Sequence, residues 1–205
     1  MHLYGMLDSP YVRRVAVALN LLGISYEHTK LSVFSTFDEF RAVNPVVKAP
    51  TLVTDDGVTL MDSTLILEHV EEIGRRDGAT LRAASPADRT RALRITGLAL
   101  AAAEKAVQIV YEHNLRPAAK LHQPWVDRVT GQLHAALAGL EEIVGAGDRW
   151  LVDERPLEVD ATVAVVWDFI RMMIPDVVAA DAYPGLAHFS TRAEALPAFA
   201  AAPSH

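Results

Sequence analysis

Two hydrophobic periods divide this chain. Strand and helix patterns alternate through the first 75 or so residues, and from Ala87 onward only helical patterns remain. His2 to Met6 reads as a short strand. Ser9-Pro10 opens a helix, since serine caps well and proline suits the first helical position. Val12, Val15, Ala16, Leu19 and Leu22 share one face of it, and Gly23 ends it. Ile24 to Lys30 predicts a second strand. Residues 31–46 are irregular, with a helical turn near Phe37 to Val43. Pro50 to Thr54 and Val58 to Met61 flank Asp55-Asp56-Gly57, a strong hairpin signal. Asp62-Ser63 then caps a helix with Leu65, Ile66, His69, Val70 and Ile73 on one face. The order β-α-β, gap, β-β-α predicts an α/β domain with a small mixed sheet.

Arg75 to Pro86 is polar and glycine-containing. The expected organisation is therefore an N-terminal domain over 1–77, a linker over 78–86 and an all-helical domain over 87–205. Long helices are expected over Ala87 to Leu115, Gln123 to Val144 and Val159 to Met173, with a last short one over Pro184 to Leu196. Ala161 to Phe169 is apolar nearly all round, broken only by Thr162 and Asp168. Such a helix is usually enclosed by others, which predicts a helical domain built around it. Asp160 lies near its start, where a carboxylate complements the helix dipole.

Composition removes whole classes of function. With no cysteine there can be no disulfide, thiolate-ligated metal or cysteine nucleophile, and so no disulfide reductase working through a protein thiol. A net charge of −7 without a basic run argues against nucleic-acid binding. No apolar run reaches the roughly 18 residues of a membrane span. Arg13-Arg14 before an apolar stretch has the outline of an export signal, but Asn20 breaks the stretch and no small-residue cleavage site follows, so the expected compartment is the cytoplasm. His28, His69, His113, His122, His134 and His188 are scattered, and no metal site is expected. Gly145-Ala146-Gly147 follows a helix and lacks a third glycine, so it reads as a turn rather than a dinucleotide loop.

Three clusters could carry chemistry. Ser9 sits where a helix start offers unpaired N–H groups and partial positive charge, so it is either a plain cap or a hydroxyl donor to an anion held there. Tyr4 is a rival donor in mid-strand. Asn44-Pro45-Val46-Val47-Lys48-Ala49-Pro50-Thr51-Leu52 brings a proline to a strand start. A trans bond there is ordinary, whereas a cis bond would turn the Ala49 backbone toward an extended peptide. Asp62-Ser63 opens another helix, either as a simple cap or as a site for an ammonium and a carboxylate.

Together these segments resemble the glutathione transferase family, in particular its serine-type cytosolic members. Ser9-Pro10-Tyr11-Val12-Arg13-Arg14-Val15, Ala18-Leu19 and Gly23-Ile24-Ser25-Tyr26-Glu27 carry the likeness at the N-terminus, and the Asn-Pro-x-x-Lys-x-Pro segment and the Asp62-Ser63 pair extend it. Tyr111-Glu112, Arg116-Pro117, Lys120, Trp125 and Arg128 look like a bacterial branch. The resemblance implies a thioredoxin-like N-terminal domain followed by an all-α helical bundle. It implies Ser9 as catalytic donor to the sulfur of glutathione, which is a co-substrate, with no metal. Lys48 would face the glycine carboxylate, Ala49 would pair with the cysteinyl backbone beside a cis Pro50, and Asp62 and Ser63 would take the γ-glutamyl ammonium and carboxylate. Met6, Leu7, Tyr111, Arg116 and Trp167 are candidates to line a pocket for a small hydrophobic electrophile between the domains. Tyr111 and Arg116 could equally be structural, and the burial habits of large aromatics place Trp125 and Trp167 in the core. A homodimer is implied too. Peroxidase or isomerase chemistry, or a non-catalytic interaction role, are the alternatives on the same scaffold. Two departures stand out: Asp62 is a methylene shorter than the family's usual Glu or Gln, and Leu157 replaces the Ser or Thr that would cap the helix with Asp160.

Overall fold

The computed structural model describes residues 1–204. Its elements run β1 (His2–Tyr4), α1 (Pro10–Leu22), β2 (Glu27–Thr29), α2 (Phe37–Val43), β3 (Thr51–Val53), β4 (Thr59–Met61), α3 (Ser63–Arg76), α4 (Pro86–Asn114), α5 (Gln123–Val144), α6 (Glu158–Met173), α7 (Pro184–Glu194) and α8 (Pro197–Ala200). Two compact units emerge: Met1–Arg82 with the described residues from Ala195 on, and Ala83–Glu194.

The first unit is a thioredoxin-like arrangement. Its four strands lie in the order β2-β1-β3-β4. β1 and β2 are parallel, as a strand pair joined by a helical crossover must be, and the other pairs are antiparallel. The strands are shorter than the sequence predicts. Gly5 leaves the extended region at φ 140, which stops β1 at Tyr4, and β2 can be no longer than its partner. Val12, Val15, Ala16 and Leu19 are fully buried, as their spacing predicts. Gly23 ends α1 in the left-handed conformation. On α3 the buried stripe is Ile66, Leu67, Val70, Glu71 and Gly74, whereas Leu65, expected on the apolar face, is 61% exposed. The stripe is thus rotated by about one position from the one predicted.

Glu71 is buried because it serves the chain beyond α3: its carboxylate accepts from the Leu81 N–H at 2.9 Å and from the Thr80 hydroxyl. Part of the segment expected as a plain linker is therefore fastened to the first unit. The chain also returns to this unit at its end. Arg13 Nε donates to the Ala202 carbonyl at 2.8 Å, Asn20 Nδ2 donates to that of Ala198 at 2.8 Å, and Phe199 is buried.

The second unit is all helical. α4 packs on α5 and α6, and α7 packs on α5 and α6. α6 is buried from Val159 through Trp167, which is the enclosed helix its composition predicts. Trp167 is only 4% exposed and meets Tyr183 edge-on, with ring centroids 6.0 Å apart. Trp125, expected in the core, is instead 39% exposed near the start of α5.

The start of α6 rests on Asp160. Its carboxylate has no exposed surface, and accepts from the N–H of Leu157 at 2.9 Å and of Leu151 at 2.8 Å. Leucine at the N-cap has no acceptor, so only this return half of a capping box exists. Leu157 is itself buried, an interaction of about 1.5–3 kcal/mol that exceeds the typical gain of about 1 kcal/mol from a capping hydroxyl. Burial pushes the Asp160 carboxyl up to about 6, against the opposing effect of its backbone hydrogen bonds. The folded state then holds this proton more tightly than the unfolded chain does. Stability from this group is present below the ordinary value of 3.8 and is lost as pH rises to about 6. The loss amounts to about 3 kcal/mol. Urea unfolding of the wild type relative to Asp160→Asn should show that decline between those pH values; a flat difference would contradict it.

Candidate functional site

Sheet register gathers the three clusters. Tyr4 pairs with Thr51, and Thr51 pairs with Met61. The end of β1, the start of β3 and the end of β4 therefore lie side by side. The turn to Ser9 leaves the first, Ala49-Pro50 enters the second, and Asp62-Ser63 follows the third. A Cβ placed on Gly5 would come within 3.4 Å of the Ala49 Cβ and 2.5 Å of a Val12 methyl, so the turn and the loop approach closely enough to require glycine.

Ser9 occupies the N-cap of α1, with φ −73 and ψ 124, yet its hydroxyl makes no capping bond. The simple capping role is thus not the one its side chain plays. Pro10 follows as the first helical residue, and the Ser9 N–H is held by the Met6 carbonyl at 3.2 Å. Met6 is half-buried and Leu7 buried in the same turn. The rival Tyr4 is engaged elsewhere: its hydroxyl meets His2 Nδ1 at 3.1 Å, and the two rings stack at 4.1 Å.

The Ala49–Pro50 bond is cis. The loop before it is tied by buried Asn44, whose Nδ2 donates to Thr51 Oγ1 at 2.8 Å and whose Oδ1 accepts from the Val46 N–H at 3.0 Å. Thr51 Oγ1 donates in turn to the Lys48 carbonyl at 2.8 Å. Asn44 and Thr51 thus shape the strand entry that presents Ala49. Both belong to the segment singled out in the sequence, but pattern alone gives no sign that the two side chains meet. Val47 holds φ 53, a left-handed conformation uncommon for a β-branched residue.

Asp62 does cap α3: its carboxylate accepts from the Thr64 N–H at 2.9 Å. It also faces Lys48 Nζ at 3.8 Å, a half-exposed ion pair of little net strength. Ser63 is buried, and its Oγ accepts from Arg14 Nη1 at 3.1 Å. Arg14, 1% exposed, also donates to Thr64 Oγ1 at 3.3 Å. In the sequence Arg14 belongs to the Ser9–Val15 motif, but nothing in that pattern shows that it meets Ser63.

The residues expected to line an electrophile pocket divide between the units. In the second unit Tyr111 is 43% exposed. Arg116 lies just beyond α4 and clamps Glu112 with two bonds of 2.7 Å, which hold the Glu112 carboxyl below its ordinary range. Trp167, enclosed in the helical core, is a packing residue rather than a surface available to a ligand. Among the described residues no group of acidic and histidine side chains is placed to hold a metal ion, and no helix is long and apolar enough to cross a membrane.

A thioredoxin-like unit followed by a helical one, with this constellation at one end of the sheet, defines a class that comparison makes specific. Residues 3–76 match the glutathione S-transferase N-terminal domain and residues 123–192 match the C-terminal domain. The chain belongs to the glutathione S-transferase family. It is 27% identical over 220 aligned positions to maleylacetoacetate isomerase of Pseudomonas aeruginosa, covering 97% of this chain and 93% of that protein. It is 34% identical over 73 residues to glutathione S-transferase U7 of Arabidopsis thaliana, where the match spans 36% of this chain and only 32% of the plant protein. A glutathione S-transferase from Methylobacterium radiotolerans, solved in complex with glutathione sulfonate, aligns with a TM-score of 0.89 at 26% identity over 98% of this chain and 93% of that one.

The left-handed Val47 costs on the order of 1–3 kcal/mol, whereas glycine there would lose roughly 0.5–1 kcal/mol in chain entropy. Val47→Gly is therefore expected to raise the unfolding free energy by about 1 kcal/mol in chemical denaturation. A variant less stable than the wild type would show that the valine side chain's packing outweighs the strain.

Proposed function

We propose that this protein is a glutathione transferase that holds the tripeptide across the ends of β1, β3 and β4 and ionises its thiol beside Ser9. The observation that carries the reading is the register that aligns the three clusters. Neighbouring strands lie about 4.8 Å apart, so the outer two of these three are about 10 Å apart, close to the length of an extended tripeptide at about 3.3 Å per residue. On this reading Lys48 faces the glycine carboxylate, and the Ala49 backbone pairs with the cysteinyl backbone beside Pro50. Asp62 takes the γ-glutamyl ammonium, and Ser63 takes the carboxylate.

A free thiol titrates near 8.5, so only a few per cent is thiolate at neutral pH. The Ser9 hydroxyl, unused in capping, donates to the sulfur anion, and the start of α1 adds its partial positive charge. A charge-assisted hydrogen bond of about 1.5–3 kcal/mol lowers a thiol pKa by roughly 1–2. Ser9 acts here as a donor, not a base. The thiolate then attacks a small hydrophobic electrophile, in keeping with Met6 and Leu7 in the turn that presents Ser9. The same reading makes the protein a cytoplasmic homodimer serving detoxification; a monomer mass by light scattering would contradict the dimer. Glutathione-dependent isomerisation is the second reading, supported by the near full-length similarity to a maleylacetoacetate isomerase. Product analysis with conjugation, isomerisation and peroxide substrates separates the chemistries.

Ser9→Ala should lower kcat by about 10–100-fold while the KM for glutathione changes by less than about twofold, because the lost hydrogen bond is made to the thiolate. The absorbance of bound thiolate should titrate at higher pH in the variant. Unchanged turnover would refute the role given to Ser9.

A further inference from the structure

We propose that His28 is a positioning residue for Ser9, acting on it through the turn that leaves β1. The inference rests on the glutathione reading and adds to it a residue that does not itself touch the ligand. His28 Nε2 lies 2.8 Å from the Gly5 carbonyl oxygen. A carbonyl oxygen only accepts, so that ring nitrogen carries the hydrogen and donates it. The Gly5 N–H donates in turn to the Thr29 carbonyl at 3.2 Å. Both polar groups of Gly5 are thus tied to β2 residues, one of them by a side chain.

The turn needs such a tie because of what Gly5 is. Its φ of 140 is rarely open to other residues, and an added Cβ would meet a Val12 methyl at 2.5 Å. The position therefore calls for the residue with the most conformational freedom, and rigidity has to come from outside it. Ser9 stands at the far end of this turn, its N–H held by the Met6 carbonyl. That bond closes the turn on itself and does not fix it against the sheet. β1 ends at Tyr4 and β2 at Thr29, so the imidazole carries the attachment one acceptor past the backbone ladder. It holds the plane of the Gly5–Met6 peptide, and with it the direction in which the chain departs toward Ser9. The Ser9 hydroxyl is unused in capping, so its aim depends on the backbone that carries it. A hydrogen bond to the sulfur weakens with angle as well as distance, and small misplacements at a reacting group are costly in rate.

The test follows the absorbance of bound glutathione thiolate against pH in the full-length protein, and kcat with chlorodinitrobenzene as electrophile. His28→Met removes the donor, whereas His28→Gln keeps one at a similar side-chain length. In His28→Met the thiolate should titrate higher by about 0.5–1 and kcat should fall about three- to tenfold. The KM for glutathione should change by less than about twofold, because groups outside the turn hold both ends of the tripeptide. His28→Gln should retain most of the wild-type values. In a Ser9→Ala background His28→Met should shift the titration hardly at all, since the hydroxyl it positions is gone. If the methionine variant fails to fold, His28→Phe takes its place. The titration needs no electrophile, so it decides the matter whichever electrophile the protein takes. Folded variants that titrate like the wild type would overturn the His28 role alone, even if they unfold more easily. An equal shift with and without the Ser9 hydroxyl would mean that His28 only supports the fold, and would overturn it too. A wild type that shows no bound thiolate at any pH would overturn the glutathione reading, and this inference with it.

Discussion

The alignment of β1, β3 and β4 is the constraint on which the rest depends. Each strand holds three residues, so the ladders fix little more than the pairs Tyr4–Thr51–Met61 and their neighbours. That suffices, because side-chain orientation has a period of two and a slip of one residue would turn Leu3 and Leu52, both fully buried, out of the core. Core burial therefore specifies the register, and the register places the starts of two helices and one strand entry side by side. Packing and site geometry here have a single cause.

The parts of this molecule legible in its sequence are those whose signals are local. Ser9-Pro10 and Gly23 bracket α1, Asp-Gly marks the β3–β4 hairpin, and the apolar run of α6 announces its enclosure. The poorly legible parts depend on partners distant in the chain. Leu65 looks like a core residue on periodicity alone, but the face α3 buries is decided by what it packs against, and Leu65 is exposed. Trp125 follows the same logic: aromatic burial is an average habit, whereas its place in the first turn of α5 leaves it at the surface. The candidate site divides likewise. Ser9, the cis proline and the Asp62-Ser63 pair lie in recognisable motifs, while Arg14 on Ser63 and Asn44 on Thr51 are contacts between segments.

The buried polar groups share a theme. Glu71 and Asp160 spend their hydrogen-bonding capacity on groups of irregular segments, and Asn44 divides its own between the Val46 N–H of the loop and Thr51 at the start of β3. An irregular segment near a core carries N–H groups that helix and sheet cannot satisfy. One buried acceptor can satisfy two of them, as Asp160 does for Leu151 and Leu157. The cost appears as a carboxyl that ionises reluctantly: burial raises Asp160 even though both of its oxygens accept backbone N–H groups.

Charge raises an apparent conflict. The chain carries −7 overall, yet the tripeptide it is proposed to bind is itself an anion at neutral pH. Range resolves it. At physiological ionic strength the screening length is about 8 Å, so most of the surface carboxylates act weakly on a ligand at the sheet end. The positive groups at that end of the sheet are local: the starts of α1 and α3, Lys48, and buried Arg14 behind Ser63. Helix ends act only within their first turn, which is also where Ser9 and Ser63 stand. Arg14 is buried, and charges out of the solvent are screened less than exposed ones such as Lys48. An acidic protein can thus keep a favourable site for an anion, provided the positive groups are close and at least one of them is out of the solvent.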